Sequence, residues 1–190
     1  MAYYTIAAGA KEIGYWWLVE LGNVGDGSNG LADQPGSIAM WREMGLVGAE
    51  LGTVGQLIVN STPAVFPVTA PGKLWVRALL SGVDTIVLIC VNDDYTNDQS
   101  GTILRSIQGV QVGFDLPSWL SSPTDVFEVD YKGVRDVSKT ITSGKLTMDL
   151  GRVDVTRMLI ITKDSTLKGT LQSLYTSTYG PRVAELIPLP

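Results

Sequence analysis

The sequence predicts a mainly β protein: an antiparallel β-sandwich over residues 61–190, preceded by a helix–strand–helix segment over residues 1–60. Three observations carry this. From Ala64 onward, apolar residues recur with a period of two, in short runs separated by Gly, Pro, Asn and Asp. From Ser37 to Leu57 they recur at helical spacing. Between the two helical stretches, Ile13–Val19 is apolar without alternation, as in strands of a parallel sheet that helices cover on both faces. Helix, buried strand, long loop and amphipathic helix is the order of one turn of a (β/α)8 barrel, so the segment reads as a barrel remnant.

In chain order, Ala2–Glu12 is compatible with a helix, with Tyr3, Ile6, Ala7 and Ala10 on one face and Gly14 as its stop. Tyr15–Val19 carries the aromatic and branched residues of a buried strand. Glu20–Gly36 is a glycine-rich loop. Ser37 is a good N-cap, and Ile38, Trp41, Met44, Val47, Leu51 and Val54 then mark a helical stripe. Gly45, Gly48, Gly52 and Gly55 each cost a helix about 1 kcal/mol relative to Ala. Four of them imply a helix held by a close neighbour rather than by propensity. Asn60–Pro63 is the expected boundary.

Strands are predicted at Ala64–Val68, Leu74–Leu80, Thr85–Val91, Ile103–Ile107, Val110–Leu116, Val126–Tyr131, Val134–Ile141, Lys145–Leu150 and Thr156–Thr162. Asn92–Gly101 and Pro117–Pro123 are loops, Leu167–Tyr175 fits a helix, and Ile187–Pro190 fits an extended tail.

Composition narrows the function. With 45% hydrophobic and 17% charged residues, the chain can bury a core. The net charge of −5 and the lack of a basic stripe argue against a nucleic-acid partner. No apolar run approaches the roughly 20 residues of a membrane helix, and the opening stretch lacks the basic start of a signal peptide. The compartment stays unassigned. The absence of histidine removes Ser-His-Asp and Cys-His chemistry and the commonest zinc ligand. Cys90 has no internal partner for a disulfide. No cofactor is expected.

The order GAKEIGYWW, glycine-rich loop, then AMWREMGLVGAELGTVGQLI resembles the last β/α unit of the (β/α)8 barrels of retaining glycoside hydrolases. The likeness is to β-galactosidase-like members, many of which end in a β-sandwich. Its specific part is Gly9–Leu57. The resemblance implies that Trp16 or Trp17 floors a sugar subsite, since alternation turns only one of them inward. An indole face stacks on the C–H face of a pyranose. The alternative is that both are core. The family's acid/base and nucleophile stand on the fourth and seventh strands, which this chain is expected to lack. Glu20 lies just past the eighth strand, at the face where barrel chemistry occurs, with only Asp26 or Asp33 as a partner. Catalytic groups need a rigid supporting shell, so all three read as loop acids and no catalytic residue is assigned.

Two weaker constellations remain. Asp93, Asp94 and Asp98, with Asn92 and Asn97, cluster oxygen ligands as a cation would require, but turns use Asn and Asp for backbone reasons. No metal site is therefore assigned. Trp119, in an exposed-looking loop, is a candidate for sugar stacking together with Trp75, Tyr95 and Tyr131; Trp75 reads as core. The expected function is a non-catalytic C-terminal fragment of a glycoside hydrolase. Its partners would be a carbohydrate and the rest of a catalytic barrel, or a second copy through residues 1–60. The alternatives are a stand-alone carbohydrate-binding module and a split-glycosidase subunit that contributes the subsite tryptophan.

Overall fold

The computed structural model describes residues 1–14, 37–99 and 101–187, with backbone alone over 37–40. The expected strand Tyr15–Val19 lies outside these residues. Three helices come first: α1 (Ala2–Ala7), α2 (Ser37–Thr53) and α3 (Gly55–Val59). The strands are β1 (Ser61–Ala64), β2 (Val68–Thr69), β3 (Leu74–Ser81), β4 (Thr85–Asn92), β5 (Tyr95–Asp98) and β6 (Gly101–Leu104). They continue as β7 (Ile107–Asp115), β8 (Asp125–Asp130), β9 (Gly133–Asp136), β10 (Ser138–Thr142), β11 (Lys145–Val153) and β12 (Thr156–Thr162). Helices α4 (Leu167–Leu174) and α5 (Gly180–Leu186) close the described chain, joined by a π-turn at Tyr175–Tyr179.

The fold is mainly β and sandwich-like. A six-stranded sheet, β1-β3-β4-β12-β8-β9, faces a four-stranded sheet, β10-β11-β7-β2, and β5-β6 is a separate hairpin. Every described pairing is antiparallel. Alternation sorts the side chains. Ile86, Leu88 and Cys90 of β4 face the second sheet and meet Val112, Phe114 and Met148. Val87, Ile89 and Val91 point the other way, onto Tyr3, Ile6, Val54 and Ile58. The six-stranded sheet is thus covered on both faces, which is why all eight residues of β4 are buried.

The helical layer and the sandwich share that second core, on either side of the expected division at residue 60. Lys11 ties them further. Its ammonium donates to the carbonyl oxygens of Ile58 (2.8 Å) and Ser61 at the end of α3, where a cation satisfies orphan carbonyls.

Several expectations are corrected. The first helix stops at Ala7 rather than near Gly14, because Gly9 takes φ +106°. The long helix breaks at Val54, where Thr53 Oγ1 bonds back to the Ala49 carbonyl oxygen (2.8 Å). Its glycines do admit a neighbour: a Cβ on Gly52 would lie 2.5 Å from the Tyr179 ring. Ala64–Val68 is not one strand, since Pro63 and Pro67 withhold N–H donors and the chain changes sheets between β1 and β2. Val134–Ile141 likewise divides at buried Val137 into β9 and β10, again in different sheets. The polar stretch after Asn92 holds β5. The C-terminal region holds a second helix, α5, begun by Gly180-Pro181.

Candidate functional site

A polar cleft of about 340 Å³ opens where the helical layer meets the end of the six-stranded sheet. Helix α2 supplies Glu43 and Glu50, seven residues apart and so on one face. Tyr3 of α1 lines it from a second side. The β8–β9 turn contributes Asp130, Lys132 and Arg135, and the β11–β12 connection contributes Arg152 and Asp154.

Behind the cleft, Glu128 of β8 stands between apolar Phe127 and Val129 with its side chain 2% exposed. Arg157 of β12 holds it with both forks: Nε donates to Oε1, and Nη2 to Oε2 at 2.6 Å. Arg157 also donates through Nη1 to the carbonyl oxygens of Leu150 (3.0 Å) and Arg152 (3.1 Å), reaching the facing sheet. Arg135 Nη2 is shared between Glu128 and Asp130. Both oxygens of Glu128 are therefore occupied, and the arrangement clamps two strands and a turn.

Glu50 is different. Its carboxyl Oε1 accepts the Tyr131 N–H at 3.0 Å. Burial pushes its pKa up to about 8, with Asp130 and Glu128 adding to the rise, while the Tyr131 hydrogen bond and Arg135 oppose it. At neutral pH it is largely a protonated acid that can donate. The Tyr3 hydroxyl is buried and has no hydrogen-bond partner among the described residues.

Trp16, Trp17, Glu20, Asp26 and Asp33 lie outside the described residues. Trp119 sits in a 3-10 turn, Ser118–Leu120, and is 39% exposed, while adjacent Leu120 is fully buried between the sheets. Strand registers place it at the end of the sandwich where Thr85 meets Thr162, opposite the end where Trp75 pairs with Val91. The four aromatic residues thus do not form one platform. Trp75 instead meets Tyr4 edge-on, ring centroids 4.7 Å apart, with the Arg77 guanidinium 4.9 Å from its ring centre.

The aspartates are used locally. Asp93 accepts from the Tyr4 hydroxyl at 2.9 Å, and Asp94 pairs loosely with Arg105 at 3.9 Å. Asp98 lies in the exposed strand β5. Among the described residues, no group of three or more acidic or thiol side chains is placed to hold a metal ion. None of their helices is long and apolar enough to cross a membrane.

Sequence reading passed over Tyr3, Glu50, Glu128, Arg135 and Arg157. The available signal was a charge inside each of two apolar runs, VFEVD and TRMLIIT; a buried polar residue is the informative exception in a core.

No family model matches the chain, and no curated protein matches it. Distant neighbours among solved structures are glycoside hydrolase and glucanotransferase domains. One is the α-L-fucosidase isoenzyme 2 from Paenibacillus thiaminolyticus: TM-score 0.41, 11% identity, covering 51% of this chain and 15% of that one. Another is a cycloisomaltooligosaccharide glucanotransferase from Paenibacillus sp., complexed with cycloisomaltoheptaose: TM-score 0.45, 8% identity, covering 61% and 20%. The chain spans a fifth or less of the length of either.

Proposed function

We propose that this chain is a non-catalytic C-terminal portion of a glycoside-hydrolase-like protein. Residues 1–60 are its barrel-derived part and residues 61–190 its accessory sandwich. The outer face of the helical layer docks onto the rest of a catalytic barrel.

The supporting observation is the two-sided character of that layer. Its inner side packs on the six-stranded sheet. Beside that core runs a furrow of about 280 Å³, lined by Ile13, Met44, Val47, Leu51 and Val59, the last 56% exposed, and by charged Lys11 and Glu12. A neighbouring hollow continues it past Met44 toward Met1. A partner seated there would bury exposed Val59 and half-buried Met44.

Sedimentation velocity over rising concentration tests the docking face. The chain alone should self-associate through the furrow, and Met44→Glu with Val59→Glu should abolish this. A strict monomer at every concentration would count against the reading.

Exposed Trp119 favours a second reading, a stand-alone carbohydrate-binding module. It requires heat on titration with a galactoside or plant polysaccharide, lost in Trp119→Ala.

A further inference from the structure

We propose that the cleft between α2 and the end of the six-stranded sheet binds a neutral polyhydroxylated molecule of monosaccharide size. The proposal rests on the carbohydrate-active reading and gives it a site apart from Trp16, Trp17 and Trp119.

Size comes first: at about 340 Å³, the cleft falls in the range of small-molecule pockets, at its lower end. Charge comes second. Four basic and four acidic side chains line it. Most of the ionic groups are spent on one another, Arg135 on Asp130, Arg152 on Asp154 at 2.6 Å and Arg157 on Glu128, and Lys132 and Glu43 add one charge of each sign. No strong field of one sign is left for a charged ligand. What remains is a ring of hydrogen-bonding capacity with both donors and acceptors. Arg135 uses only Nη2, so Nε and Nη1 have no partner among the described residues. Glu50 uses only Oε1 in the bond from Tyr131. A sugar hydroxyl both donates and accepts, so neighbouring hydroxyls suit alternating guanidinium and carboxyl groups.

The third observation is Tyr3. It is 7% exposed, lines the cleft, and its hydroxyl has no partner among the described residues. A buried hydroxyl without a partner is costly, and a small turn of the Tyr3 side chain toward the cleft lets a ligand there supply one. Leu46, Val47 and Val155 add an apolar strip for the C–H face of such a ligand.

Chemical-shift mapping of the whole chain tests this, with D-galactose, D-glucose and myo-inositol as separate probes. At least one should give saturable shifts at the amides of Glu50, Tyr131 and Asp154. Tyr3→Phe should weaken that binding about three- to tenfold, the range for one neutral hydrogen bond, without lowering the melting temperature. No saturable shift with any probe up to its solubility limit overturns the proposal. So do shifts centred on Trp119, or an affinity unchanged in Tyr3→Phe. The sedimentation result is independent of the sugar titration, so failure of the cleft and failure of the docking reading are told apart.

Discussion

Raising the pH from 5 to 9 should destabilise this protein, and Glu50 is the reason. Burial between α2 and the β8–β9 turn lifts its pKa from 4.5 to about 8, helped by Asp130 and Glu128 and opposed by the Tyr131 N–H and Arg135. The folded state therefore holds a proton on Glu50 that the unfolded state releases across this window. Stability from this group is full below the unfolded pKa, declines as pH rises, and is gone once pH passes the folded value. The slope is about 1.4 kcal/mol per pH unit, and the whole effect is on the order of 4–5 kcal/mol before the cleft relaxes. Among the other shifted groups, buried Cys90, raised from 9.0 to about 12, adds a smaller loss only near pH 9. Asp136, Asp154 and Asp164 are held below the usual carboxylate range, chiefly by hydrogen bonds from Lys168, Ser106 and Thr166, and titrate in more acid solution. Tyr4 is pushed up to about 12, mainly by burial. Urea unfolding followed by tryptophan fluorescence across this range measures the effect. Glu50→Gln keeps an acceptor for Tyr131 and should flatten the profile, making the variant more stable than the parent at pH 9. A parent profile flat from pH 5 to 8 would refute the burial argument.

Four further outcomes are expected. Arg157→Met leaves Glu128 buried without its fork and should cost about 3–5 kcal/mol in denaturant unfolding. Gly48→Ala, with open space around its Cβ, should stabilise α2 by about 1 kcal/mol. Gly52→Ala drives a methyl into Tyr179 and should cost about 1–3 kcal/mol instead, so paired melting curves of the two variants should move in opposite directions. Cys90 is fully buried, with its thiol pushed up to about 12 by burial. It should resist a thiol reagent in the native state and react at once in denaturant.

The strands were legible where burial wrote a continuous signal. Thr85–Asn92 reads as a central strand because both of its faces are covered, which leaves no polar alternation to confuse it. Sheet membership was not legible. Nothing in VRDVSKTIT marks Val137 as the point where the chain leaves one sheet for the other, since both halves keep a strand's residues. Helix α5 was hidden because Gly180-Pro181 reads as a breaker, although proline is tolerated at a helix start. The cleft was hidden for a different reason. Glu128 and Arg157 are 29 residues apart, and Glu50 reaches Tyr131 across 81. Only the folded arrangement makes a lone acid in a strand into half of an ion pair.

Residue-by-residue amide hydrogen exchange asks most directly whether the helical layer is a firm part of one docking body. The shared core of Val54, Ile58, Val87 and Ile89 requires the amides of Ala49 and Ile58 to open in the same cooperative unit as those of Ile86–Val91, at the global free energy. If α2 and α3 exchange far faster and independently of β4, the layer is a loose appendage, and its outer furrow cannot serve as a fixed face for a barrel.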